Sequence, residues 1–295
     1  MLVLHHASST RPAGIELQPL PRIDVLALFP EERAALLDAL RSLSDAQWSN
    51  PTVCDAWTVK DIAQHLIADD LGRLSGGRDR FAAQRFDFTG DDSSTRHLLE
   101  FINRQNEAWV EATRRLSPRV IVDMLEWTGN QTQAYFESLD PNKMGLGVSW
   151  AGESESPNWF DLAREYTERW HHQAQIREGA GLPMLYESRL FAPVLDTFAR
   201  ALPHTFRDLD APQGTCVVLR ITGDAGGTWP ILKNGGRWLL SPNAADSNAE
   251  AELDQDTAWR LFTRTISASE ARKHARLTGN EALAAQVLQM VSIIA

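Results

Sequence analysis

The sequence predicts an α+β protein, with helices first and a small α+β part after them. Three observations predict it. From Leu28 to Phe198 apolar residues recur at spacings of three and four, the rhythm of amphipathic helices. Beyond residue 214 the rhythm changes, with strand-like runs at Thr215–Thr222 and Thr228–Lys233 and the turn Asn234-Gly235-Gly236 leading into Trp238-Leu239-Leu240. The 295 residues, 43% apolar and 23% charged, suit a globular chain able to bury a proper core. The expected organisation is a loose lead-in over 1–22, a helical bundle with a bridging helix over 23–204, and an α+β domain over 205–295.

The formal charge of −10, from 29 basic and 39 acidic side chains, argues against broad nucleic-acid binding through phosphate contacts. Two cysteines, Cys54 and Cys216, make no disulfide scaffold and no thiolate zinc motif. The opening Met-Leu-Val-Leu run is too short for a signal-peptide core, and no apolar span reaches membrane length. The expected location is the cytoplasm, with no membrane partner.

The elements follow in order. The lead-in holds His5 and His6 without periodicity. Phe29 to Leu43 reads as the first helix, with Pro30-Glu31-Glu32 as an acidic first turn. A loop with Trp48 and Trp57 leads to Thr58-Val59-Lys60-Asp61, a capping-box start for a helix through Ile62, His65, Leu66 and Leu71 that stops at Gly76-Gly77. Residues 78–93 are polar and glycine-interrupted. A third helix runs from Ser93 or Ser94 to Leu116, and Ser117-Pro118 opens a fourth that Asp140-Pro141 ends. His97 reads as a surface residue. Glu187 to Ala201 reads as a bridging helix. After the strands, Asn248 to Leu253 offers one more, Asp254, Asp256 or Thr257 caps a helix from Ala258 to Thr265, and a last helix spans Asn280 to about Met290.

The stretch from Pro157 to Arg177 carries the candidate chemistry. It reads as a helix with Ser156 as N-cap, Pro157 at the first helical position, and Gly179 and Gly181 as the stop. One face is apolar: Trp159, Ala163, Tyr166, Trp170, Ala174. A second stripe is polar: Asp161, Glu165, Glu168, His172, Gln175. Glu168 and His172 are four apart, so they project from the same side and can hold a divalent metal if another element supplies a third ligand. The same pattern also suits an ordinary amphipathic surface helix. His65 reads either as a satisfied core residue or as that third ligand, with Asp61 and Asp69 one turn away as carboxylates able to orient a metal-bound imidazole.

At His65 and Glu168/His172 together the chain resembles the mycothiol-dependent maleylpyruvate isomerase family, a branch of the DinB-like metalloproteins. The resemblance rests on Trp57-Thr58-Val59-Lys60-Asp61-Ile62-Ala63-Gln64-His65-Leu66 and on Glu168-Arg169-Trp170-His171-His172-Gln173-Ala174-Gln175-Ile176-Arg177. It continues at Gly279–Ala284 and Leu288–Ile294. It implies a DinB-like four-helix bundle with a divalent metal, usually zinc, held by His65, Glu168 and His172. Family members often carry an acidic residue three after the second histidine, where this chain has Gln175. They also carry a helix-end arginine in the second domain that binds a substrate anion, and Arg264 is the matching position here, although Thr263 stands where glycine is usual.

Two histidines and a carboxylate leave a coordination position open, the arrangement of a catalytic zinc. Such a metal lowers the pKa of a bound thiol or water toward neutrality. The resemblance then implies a metal-dependent transferase or isomerase that uses mycothiol or another low-molecular-weight thiol on a small, electrophilic, anionic substrate. Two other readings fit the same residues: a hydrolase or lyase using water on the same ligands, and a non-catalytic binder whose sterol-carrier-like second domain holds an apolar ligand.

Overall fold

A computed structural model describes residues 20–54, 56–81, 92–242 and 246–293. His5 and His6, most of the lead-in and residues 82–91 of the polar loop lie outside these. Helix α1 (Phe29–Ser42) has Pro30 in its first turn, with Glu31 and Glu32 at the positive end of its dipole. A single turn, α2 (Asp45–Trp48), is capped by Ser44. Helix α3 (Val59–Gly72) begins at the capping box: the Asp61 N–H donates to Thr58 Oγ1, and the Thr58 N–H donates to the Asp61 carboxylate at 3.0 Å. It widens into a π-helical turn over Arg73–Arg78 that carries the chain through Gly76-Gly77. Helices α4 (Asp92–Thr113) and α5 (Pro118–Glu137) follow, the latter capped by Ser117.

Strands β1 (Met144–Leu146) and β2 (Glu155–Pro157) pair antiparallel and deliver the chain to α6 (Asn158–Ala180). This corrects the expected helix start. Ser156 belongs to β2, where its Oγ accepts the Val148 N–H at 3.0 Å and donates to Glu153. Strand pairing holds Pro157 at ψ 145°, so the helix begins one residue later. Its end is as expected: Gly181 takes φ 68°, a left-handed cap that glycine adopts without strain. Helix α3 packs against α4, α5 and α6, and α1 packs against α5 and α6.

Helix α7 (Ser188–Ala199) and the turn α8 (Leu202–Thr205) lead to strands β3 (Cys216–Thr222), β4 (Gly227–Asn234), β5 (Arg237–Leu240) and β6 (Ala249–Asp254). Gly235 and Gly236 form the two-residue hairpin loop between β4 and β5, and both have positive φ, as a type I′ turn demands. Helix α9 (Gln255–Phe262) is capped by Asp254, whose carboxylate accepts the Asp256 and Thr257 N–H groups. Helix α10 (Ala268–His274) and strand β7 (Arg276–Gly279) follow, neither read from the sequence. Strand β7 is mostly exposed at the sheet edge, so it lacks the apolar alternation that marks a strand. Helix α11 (Glu281–Val287) starts at the Asn280 cap and is shorter than expected. The sheet order is β5-β4-β3-β6-β7, with β6 parallel to β3 and the other neighbours antiparallel.

One apolar cluster joins the helical and sheet parts. Trp170 of α6 stacks on Phe191 of α7 with centroids 4.3 Å apart and meets the edge of Trp259 of α9 at 5.6 Å. Burying one tryptophan removes about 150–250 Å² from water, roughly 4–6 kcal/mol at about 25 cal/mol per Å². This contact fixes α9 against the middle of α6.

Candidate metal centre

The middle of α6 is buried on nearly every side. From Asp161 to Ile176 only Arg164, Glu168 and His172 are half-buried, and they are spaced by four. They form one stripe that opens outward, so the polar face is not a solvated surface. Across from it, α3 presents His65 and Asp69 one turn apart. The His65 and His172 rings meet edge to face with centroids 4.7 Å apart. Donor atoms of His65, Asp69 and His172 all lie within 4.8 Å of one another. His65 Nε2 is 3.3 Å from Asp69 Oδ2, and His172 Nε2 is 4.0 Å from Glu168 Oε2.

The register of the two helices is set one residue away. Asp70, next to Asp69, receives Arg169, next to Glu168, at 2.7 Å. The same carboxylate receives Arg33 of α1 at 2.9 Å and the Thr128 hydroxyl of α5 at 2.6 Å. One buried acid thus ties α1, α3, α5 and α6 together. Arg169 also donates to Glu165 at 2.7 Å, and Arg73 and Arg164 close on Asp161 and Glu165 at 2.6 to 3.2 Å. Each of these arginines is engaged by the buried acids of α6. Burial alone would raise the Glu165 carboxyl, but the guanidinium groups of Arg73, Arg164 and Arg169 hold it well below the usual carboxylate range.

The donors themselves are tuned the other way. Burial, with His172 nearby, pushes the His65 imidazole down to about 3. Burial likewise lowers His172, against its bond to Gln175. Both rings are therefore neutral at pH 7, the form that offers a lone pair to a metal. Burial raises Glu168 to about 7 and raises Asp69 as well, with nearby carboxylates adding to both. A cation between them would relieve the cost of ionising both acids.

The surroundings orient the rings. His172 Nδ1 bonds Gln175 Oε1 at 2.8 Å, which leaves Nε2 facing the stripe. Gln175 Nε2 in turn donates to Cys54 Sγ at 3.2 Å. Cys54 lies in the loop that Asn50 fastens to the end of α6 through the Gly179 carbonyl, and Trp57 of the same loop lies 5.1 Å from the His65 ring. His65 Nδ1 is buried with no hydrogen-bond partner among the described residues. His171 points elsewhere: both its nitrogens are buried without partners among the described residues, and its ring meets Trp259 at 6.0 Å. Arg264 lies just past α9, exposed and with φ 59°. Its N–H donates to the Leu261 carbonyl at 3.0 Å, closing the helix end. His97 is exposed on α4.

Residues 29–177 match the family model of the mycothiol maleylpyruvate isomerase N-terminal domain. The chain belongs to this family. No curated protein matches it in sequence. Among solved structures, a mutant of the mycothiol-dependent maleylpyruvate isomerase is similar, at 11% identity, with a TM-score of 0.53 over 88% of this chain and 93% of that one. A second structure of that isomerase covers the same shares at a TM-score of 0.48. A mycothiol maleylpyruvate isomerase family member with this α+β fold thus places His65, Asp69, Glu168 and His172 on two facing helices. The acids at 165 and 168 and the histidine at 172 were legible as a stripe; Asp69 as a neighbour of His172 was not, because α3 and α6 meet only in the folded chain.

Proposed function

We propose that this protein is a metal-dependent enzyme that uses mycothiol, or another low-molecular-weight thiol, to isomerise or add to a small electrophilic anionic substrate in the cytoplasm. The observation that carries it is the convergence of His65, Asp69 and His172 donor atoms within 4.8 Å beside Glu168. The donor set fits a divalent first-row metal, zinc above all: two neutral imidazoles and carboxylate oxygen. A metal so held supplies Lewis-acid activation that makes a thiol nucleophilic at neutral pH.

The chain's own residues do the rest. His65, Glu168 and His172 would hold the cation, with Glu168 reaching it from beside the group of three donors, 4.0 Å from His172 Nε2. Gln175 keeps the proton of His172 on Nδ1 and so keeps Nε2 available. Trp57 packs against the His65 ring, and Asp70 with Arg169 holds the two helices in register. Arg264 is the cation proposed for the substrate anion, its planar fork being suited to a carboxylate.

Metal analysis of purified variants tests this reading. His65→Ala, Glu168→Ala and His172→Ala should each lose stoichiometric metal, while His171→Ala should stay loaded because its ring faces Trp259. A fully loaded His172→Ala protein would sink the assignment. Turnover that continues unchanged without any thiol would instead favour water as the nucleophile on the same ligands.

A further inference from the structure

The arginines of the bundle are distributed unevenly among its acids. Asp70 has Arg33 and Arg169, Asp161 has Arg73 and Arg164, and Glu165 has Arg73, Arg164 and Arg169. Among the described residues, Asp69 and Glu168 form ion-pair contacts with imidazoles alone, Asp69 with His65 and Glu168 with His172. Both are half-buried on the open stripe. Both of these acids flank the histidines.

Asp69 has two conceivable roles there. An acid that only orients a metal-bound imidazole accepts an N–H from the ring nitrogen turned away from the metal, and so stands behind the ring, away from the other ligands. Asp69 does not stand there. Its donor oxygen lies within 4.8 Å of donor atoms on both His65 and His172. The 3.3 Å between His65 Nε2 and Asp69 Oδ2 is a contact without hydrogen-bond alignment. Two donors each about 2.0–2.1 Å from one ion at a tetrahedral angle are separated by about 3.3 Å.

We propose that Asp69 enters the coordination sphere, making a two-histidine, two-carboxylate centre of His65, Asp69, Glu168 and His172. Each helix then donates one imidazole and one carboxylate four residues apart, in the order His-to-Asp on α3 and Glu-to-His on α6. Such a set takes a divalent first-row metal, adds a second negative charge to the sphere and makes the thiol a fifth ligand. This rests on the metal reading above, and the experiment separates the two.

Zinc affinity is measured by chelator competition on the full chain, wild type and Asp69→Asn. Asp69→Asn should bind at least tenfold more weakly. The Co(II)-substituted Asp69→Cys variant is measured alongside, because a thiolate that enters the sphere gives a near-ultraviolet sulfur-to-cobalt charge-transfer band. That band should be present in the variant and absent from the wild type, whose Cys54 bonds Gln175. Wild-type affinity in Asp69→Asn, or a Co(II)-loaded Asp69→Cys protein without the band, would overturn the role of Asp69 and leave the metal reading standing. A wild type that takes up no metal would overturn both.

Discussion

His172 is governed by its neighbour one turn on. An imidazole can bind metal through either nitrogen, and the hydrogen bond made by one decides which remains free. Here the Gln175 carbonyl accepts the Nδ1 proton, and its amide is itself fixed on Cys54 Sγ. An amide orients the ring as an acid would, without adding negative charge behind it. Removing that support with Gln175→Ala should weaken metal affinity about 10- to 100-fold, whereas Gln175→Glu should preserve it. Chelator competition distinguishes the two, and equal affinity in the wild type and Gln175→Ala would show that Gln175 does not position the ring.

At the scale of elements, α1 and α6 are joined by a buried acid with a pH consequence. Glu32 accepts from Gln173 Nε2 at 2.6 Å, and its other oxygen is buried without a partner among the described residues. Burial raises its pKa, against the pull of Arg33 and Arg169. The folded chain therefore holds this proton more tightly than the unfolded one. Its contribution to stability is fully present below the unfolded value of about 4.3 and is lost as pH rises through the elevated folded value. Glu32→Gln is neutral throughout, so it should exceed the wild type in stability at pH 8, by on the order of 1 kcal/mol, and lose that advantage at pH 4. Denaturant midpoints at the two pH values check this; an identical difference at both would mean that Glu32 is not the titrating group.

At the scale of the whole molecule, the sheet part is docked to α6 through α9. Trp259 meets Trp170 and His171, and its Nε1 donates to the Tyr186 hydroxyl at 3.0 Å. Arg260 stacks over the Trp259 ring at 4.6 Å and pairs with Glu178 of α6 at 2.9 Å. This docking makes Arg264 at the end of α9 a fair test of whether the second part serves the site. Arg264→Lys keeps the charge and loses the bidentate fork. It should fold and load metal normally yet lose tenfold or more in kcat/KM, about 1.4 kcal/mol of transition-state binding. Unchanged turnover on an anionic substrate would confine Arg264 to closing its own helix.

The sequence by itself determined the local features. The Thr58/Asp61 capping box, the Ser117 cap, the Gly235-Gly236 hairpin and the Gly181 stop all form as the residues specify, because each depends on contacts within a few positions. The one-turn spacing of Glu168 and His172 was legible for the same reason. Only the tertiary structure decided the rest. Ser156 is drawn into a strand by pairing with β1, and β7 forms because β6 offers it an edge. Asp161 and Glu165 of the α6 polar stripe are buried because Arg73, Arg164 and Arg169 neutralise them. Asp69 reaches the two histidines because Asp70 and Arg169 hold α3 and α6 in one register, a contact spanning 99 positions of chain that no local pattern encodes.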